Sequence, residues 1–154
     1  MRATSSTALP GVAPWWPRTH GTPHLHPVRV EIDGTTVDLG RTGFRSLSLA
    51  RPFAEGLALA VNGVPVFCRG ANWTPPDLVG LGTEDGAILV DLAREAGMNM
   101  IRLPGVMTYE DEAFFALCDE LGIMVWQEMM LANFDYPQGD AGFRAAIATE
   151  VDGL

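Results

Sequence analysis

Residues 64–77 read VPVFCRGANWTPPD, an apolar run from Val64 to Cys68 that passes into Gly70, Asn72, Trp73, Pro75, Pro76 and Asp77. Proline lacks the N–H that a sheet ladder needs, so the prolines mark where pairing stops. A strand-like run that ends in an amide, an indole and a carboxylate reads as wall with a polar rim. The chain changes rhythm around this stretch, and that change sets the expected fold class.

Upstream the pattern is β. His26, Val28, Val30 and Ile32 alternate, Asp33-Gly34 offers a tight turn, and Val37 and Leu39 alternate again. This is a hairpin signal. Phe44, Leu47 and Leu49 suggest a further short strand, and Leu57–Val61 and Val64–Cys68 flank Asn62-Gly63, a second hairpin turn. The N-terminal residues 1–13 are small, polar and Pro-containing, and are expected to be disordered.

Downstream the rhythm becomes strand, helix, strand, helix, strand. Leu89, Leu92, Ala93 and Ala96 follow helical spacing, as do Phe114, Leu117, Cys118 and Leu121. Thr108-Tyr109-Glu110-Asp111 resembles a capping box with Asp in place of Glu, and Gly97 and Gly122 stand where a helix C-terminus favours a left-handed residue. Met98–Leu103 and Ile123–Trp126 are apolar without alternation, which suits strands buried on both faces of a parallel sheet. The expected order is strand 64–70, helix 84–96, strand 98–103, helix 109–121, strand 123–128 and a helix from 142. Alternation of this kind predicts a parallel α/β sheet after an all-β part.

Composition narrows the function. The 154 residues are 47% hydrophobic, with a net charge of -9 and ten basic residues spread along the chain. A folded protein is expected, and nucleic acid is an unsuitable partner without a basic patch. No apolar run is long enough to span a bilayer, so no membrane partner is expected. Acidic charge and the lack of an export signal lean towards a cytoplasmic location. Cys68 and Cys118 lie in apolar segments and read as buried thiols. His20, His24 and His26 lack a convincing ligand pattern, and no phosphate-binding glycine fingerprint is present, so neither metal nor cofactor is expected.

Each predicted parallel strand ends in polar chemistry: Asn72 and Trp73 with Asp77 beyond, Arg102, then Gln127 and Glu128. The C-terminal strand ends form the active-site face of a βα barrel, or the crevice of an open α/β sheet. An indole face with amide, guanidinium and carboxylate groups suits a sugar. Structural readings stand beside this one: an Arg102–Glu128 ion pair, Trp73 as packing, and Asp77 as a turn residue.

The ordered series Trp15-Trp16-Pro17, Gly43-Phe44-Arg45, Val61-Asn62-Gly63-x-Pro65-Val66-Phe67, Gly70-Ala71-Asn72-Trp73-x-Pro75-x-Asp77, Asn99-Met100-Ile101-Arg102, Cys118-Asp119-Glu120-Leu121-Gly122-Ile123 and Val125-Trp126-Gln127-Glu128 resembles glycoside hydrolase family 2, its β-mannosidase branch above all. The resemblance implies that residues 14–52 are part of an immunoglobulin-like β-sandwich and that 53–154 open a (β/α)8 barrel, contributing strands one to three. It implies an exo-acting, retaining β-glycosidase that hydrolyses terminal β-D-mannosides with two carboxylates. It also places Asn72, Trp73, Asp77, Arg102 and Glu128 at the sugar subsite or in its supporting shell. In the family the acid/base sits in an Asn-Glu pair after barrel strand four, and the nucleophile on strand seven. This sequence has no Asn-Glu dipeptide, so an inactive fragment is expected, completed by the remainder of a parent polypeptide.

Two departures are visible. Leu103-Pro104-Gly105-Val106-Met107 stands where many β-mannosidases carry Trp-Gly-Gly-Gly, and Gln127-Glu128 replaces the usual Gln-Asp. An exo-β-glucosaminidase or β-galactosidase type of hydrolase, and a non-catalytic carbohydrate-binding module, are the alternative expectations.

Overall fold

The computed structural model describes residues 9–56, 58–75, 86–106 and 108–153. Leu57 and Asp77 lie outside the described residues, as does most of the segment expected to be disordered. Mixed α/β architecture is observed, with antiparallel sheets first and a parallel sheet after them.

Strands β1 (His26–Ile32) and β2 (Thr35–Thr42) form an antiparallel hairpin with Ile32 opposite Thr35. Its turn is Asp33-Gly34, with φ of 50° and 78°. Strands β3 (Leu47–Leu49), β4 (Leu59–Val61) and β5 (Val64–Val66) make a second antiparallel sheet. Asn62-Gly63 turns β4 into β5 with φ of 50° and 79°. Two consecutive left-handed residues match the right-handed twist of the strands they join, so both dipeptides act as the sequence predicts.

The expected strand 64–70 is corrected. Val64–Val66 pairs back on Leu59–Val61 rather than forming parallel wall, and the first parallel strand, β6, is only Gly70–Asn72. A two-residue turn makes the local antiparallel pairing cheap to close, and it captures the apolar run. Gly70 then brings β6 against its neighbour. A Cβ there would lie 1.9 Å from the Met100 carbonyl oxygen, so a side chain is excluded.

The parallel sheet is completed by β7 (Met100–Leu103) and β8 (Met124–Gln127), in the order β6-β7-β8. Helices α1 (Gly86–Glu95) and α2 (Glu112–Leu121) form the crossovers, and α3 (Ala141–Gly153) follows β8. Gly97 and Gly122 adopt φ of 79° and 69° after α1 and α2, as expected of C-terminal caps. The start of α2 differs from the capping-box reading. Asp111 is itself the N-cap, its Oδ1 accepting from Phe114 N at 2.9 Å, so the helix begins later than Tyr109.

Two apolar cores hold these parts. Trp73, Val90, Ile101, Leu103, Phe114, Cys118 and Ile123 fill the space between the parallel sheet and its helices. Trp15, Val61, Val66, Met100 and Met124 join the N-terminal segment and the β3–β5 sheet to the opposite face of the parallel sheet. Asn99, fully buried, links the two layers. Its Oδ1 accepts from Arg69 N at 2.8 Å, and its Nδ2 donates to Thr19 Oγ1 at 2.9 Å and Phe67 O at 3.0 Å.

Candidate functional site

Parallel pairing aligns Asn72 with Arg102 and Arg102 with Trp126. Side chains alternate along a strand, so these three share one face, and Trp73, Ile101, Leu103 and Val125 share the other. The first face is turned away from the α1 and α2 core, and its upper part is open. Cys68, Gly70, Asn72, Met100, Arg102 and Trp126 line a shallow concavity of about 440 Å³ there.

Arg102 organises this face. Its Nη1 donates to Asn72 Oδ1 at 2.9 Å, and its Nε and Nη2 approach Glu128 Oε1 at 2.7 and 2.6 Å. Glu128 Oε2 accepts from Gly105 N at 3.4 Å. Glu128 is placed by its own backbone, whose N–H donates to Leu103 O at 3.1 Å just past β8. The ends of three adjacent strands are thus bound into one network. Arg102 and Glu128 side chains are 38% and 31% exposed. A pair this exposed contributes only about 0–1 kcal/mol to folding. Its main effect is geometric: it holds a planar fork of donors and two polar acceptors in fixed orientation.

Trp73 does not join the network. It is one residue from Asn72, so its side chain leaves the opposite face, where the indole is 7% exposed and lies 4.9 Å from the Phe114 ring. Its Nε1 donates to Glu110 Oε1 at 2.6 Å. The aromatic surface on the open face belongs to Trp126 instead, which is 40% exposed. Sequence reasoning passed over Trp126. The signal was its two-residue offset from Glu128, which gives both the same face. It also read Glu110 only as a helix-start charge.

No family profile matches the chain. It is 35% identical to the β-mannosidase of Mus musculus over 91% of this chain and 17% of that protein. Among solved structures it superposes on a β-D-mannosidase from Dictyoglomus thermophilum with a TM-score of 0.76 and 37% identity, covering 89% of this chain and 18% of that one. Over this stretch the chain is similar to β-mannosidases. It also superposes on the exo-chitosanase CsxA of Amycolatopsis orientalis, with a TM-score of 0.62 and 27% identity over 74% of this chain and 14% of that one. The chain therefore spans about a sixth of the length of the β-mannosidases it matches.

Gly105 couples two loops beside the network. Besides donating to Glu128, it accepts from Ala132 N at 3.0 Å, and a Cβ on it would lie 2.2 Å from Met129 O. Tyr109 braces the same region, donating to Glu150 on α3 and accepting from Met130 N. Burial, with the Glu150 bond, pushes the Tyr109 hydroxyl above its ordinary pKa. On α2, burial raises the Asp119 carboxyl although Arg45 opposes the shift, and it pushes the Cys118 thiol up to about 12. Among the described residues, no three His, Cys, Asp or Glu side chains gather in a way that could hold a metal ion, and His26 Nε2 meets Ala13 O at 2.9 Å.

Proposed function

We propose that the chain serves in a β-mannosidase-type retaining glycoside hydrolase acting on terminal β-D-mannosides, and that Asn72, Arg102 and Glu128 form one wall of its sugar pocket. The observation that carries this reading is the Arg102 guanidinium bridging Asn72 and Glu128 across three parallel strand ends. A sugar hydroxyl set among these groups meets both donors and acceptors whose orientation is fixed before binding, which limits the entropy lost on association. Trp126 supplies an apolar surface beside them for the C–H face of the ring.

The same proposal assigns residues 14–52 to an immunoglobulin-like sandwich and 53–154 to the first three strands of a (β/α)8 barrel. Three parallel strands with helices on one face and polar groups at their C-terminal ends support the barrel assignment. Retention requires two carboxyl groups about 5–5.5 Å apart, one nucleophilic and one acting as acid and base. Glu128 has one oxygen engaged by Arg102 and the other facing Gly105 N–H. In this proposal it positions substrate, and the catalytic pair comes from elsewhere in the enzyme. A second reading, hydrolysis of β-glucosaminides, is favoured by the likeness to exo-chitosanase CsxA.

A chimera tests both readings. Residues 14–154 would replace the matching stretch of the Dictyoglomus thermophilum enzyme, and aryl β-D-mannoside and aryl β-D-glucosaminide would be compared as substrates. Mannoside hydrolysis that falls roughly 100-fold in Arg102→Ala, as expected when a positioning contact is lost, supports the first reading. Preference for the glucosaminide supports the second. A cooperatively folded chimera that cleaves neither contradicts both.

A further inference from the structure

We propose that Tyr109 is a positioning residue for the Arg102–Glu128 network, its hydroxyl taking the place of a backbone carbonyl that holds the chain after β8. The effect on sugar binding rests on the pocket reading of Asn72, Arg102 and Glu128; the effect on their geometry does not.

The β7–β8 ladder ends at Leu103 and Gln127, yet the chain after β8 keeps donating towards β7 and the segment that follows it. Glu128 N donates to Leu103 O at 3.1 Å, Met130 N to the Tyr109 hydroxyl at 3.4 Å and Ala132 N to Gly105 O at 3.0 Å. Every second N–H thus finds an acceptor. The outer two acceptors are carbonyls, and the middle one is a phenol. Without that middle rung, residues 129–131 hang between two anchors. The Glu128 carboxylate leaves the chain at the first anchor, and its Oε2 faces the N–H of Gly105 at the second.

The phenol is itself held in place. Asp111, the N-cap of α2, fixes the chain two residues beyond it. A hydroxyl has one proton, and a carboxylate only accepts. Glu150 on α3 therefore takes the Tyr109 proton, which leaves the oxygen's lone pairs for Met130 N–H. None of the described residues of α3 is buried. The start of α3 is fixed to the loop before it, with Asp140 Oδ1 accepting from Phe143 N at 2.7 Å and Tyr136 stacked on Phe143 at 5.5 Å. Glu150 lies about two turns further along, so the Tyr109 bond joins the far part of α3 to the same unit.

NMR of the full chain tests this, with Tyr109→Phe, which removes the oxygen and keeps the ring, and Glu150→Gln, which still accepts the phenol proton. In Tyr109→Phe the Arg102 Nε–H and Glu128 amide signals are expected to move, the Met130 amide to exchange several-fold faster, and affinity for methyl β-D-mannoside to fall several-fold. The Trp73 indole N–H, in the helix-side core, is expected to stay where it was. Glu150→Gln is expected to retain the Arg102 signal and the affinity. Faster exchange at Met130 with Arg102 and Glu128 signals unmoved would make Tyr109 a structural brace and overturn the positioning role, leaving the pocket standing. Movement of the Trp73 indole signal as well would mean general loosening and overturn it too. Moved Arg102 and Glu128 signals, with no mannoside binding to either protein, would keep the positioning and remove the pocket.

Discussion

Asn72 and Trp73 are neighbours in the chain, yet their side chains work on opposite faces of the parallel sheet. Asn72 Oδ1 accepts from Arg102 at 2.9 Å, whereas Trp73 Nε1 donates to Glu110 at 2.6 Å inside the helix-side core. Stability and recognition are therefore separable at adjacent positions. Trp73→Phe is expected to cost about 1–2 kcal/mol through the lost hydrogen bond, and to leave sugar binding as it was. Urea denaturation beside a sugar titration checks this. A variant of unchanged stability with weakened binding would put the indole in the pocket after all.

Asn99 is fully buried and satisfies three groups at once, Arg69 N, Thr19 Oγ1 and Phe67 O. Asn99→Ala removes all three hydrogen bonds of a fully buried side chain, so a loss of about 2–3 kcal/mol is expected. Denaturant midpoints of the two proteins measure it. A loss below about 0.5 kcal/mol, the scale of ordinary surface substitutions, would show that the latch is incidental.

The two thiols should differ in reactivity. Burial pushes Cys118 up to about 12, with Asp119 and Glu110 adding to the shift, while Cys68 is half-buried and its pKa is raised by burial alone. The thiolate is the nucleophile, so iodoacetamide at mildly alkaline pH should label Cys68 well before Cys118. Cys118 should react only as the protein unfolds. Equal rates on the folded chain, read by peptide mass spectrometry, would contradict the packing described for α2.

Asp119 carries a pH dependence of definite sign. Its folded pKa is raised by burial, which outweighs the Arg45 attraction, so the folded state holds the proton more tightly than the unfolded state. Stability should fall as pH rises from the unfolded carboxylate value, about 3.9, through the raised folded value, and the penalty persists above it. Asp119→Asn should thus raise Tm at neutral pH, with the gain vanishing at the acid end of that window. A neutral-pH Tm lower than that of the unsubstituted chain would reverse the assignment.

Features set by local chemistry were legible in the sequence. Asp33-Gly34 and Asn62-Gly63 announce their turns because few other dipeptides tolerate two left-handed residues. Gly97 and Gly122 mark helix ends for the same reason, and the apolar runs around Met100–Leu103 and Met124–Gln127 could be read as parallel strands. The hairpin arm after Asn62-Gly63 was legible, but its run was also read through to residue 70 as the first parallel strand, because an apolar run shows that a strand exists without naming its partner. Of the expected site residues, Asn72, Arg102 and Glu128 are brought together, Trp73 is not, and Asp77 lies outside the described residues. Strand parity separates Asn72 from Trp73 and pairs Trp126 with Glu128. The Trp73–Glu110 bond joins residues 37 positions apart, a distance at which no local pattern announces a partner.

The most direct test is a titration of the chain with methyl β-D-mannoside, followed through the amide shifts of Asn72, Arg102 and Glu128, with Arg102→Ala in parallel. Saturable shifts centred on those three residues are expected, with affinity falling about tenfold in the variant, the equivalent of about 1.4 kcal/mol. Equal affinity in both proteins, or shifts centred on the helix-side face around Trp73 and Phe114, would contradict a sugar site built on Arg102.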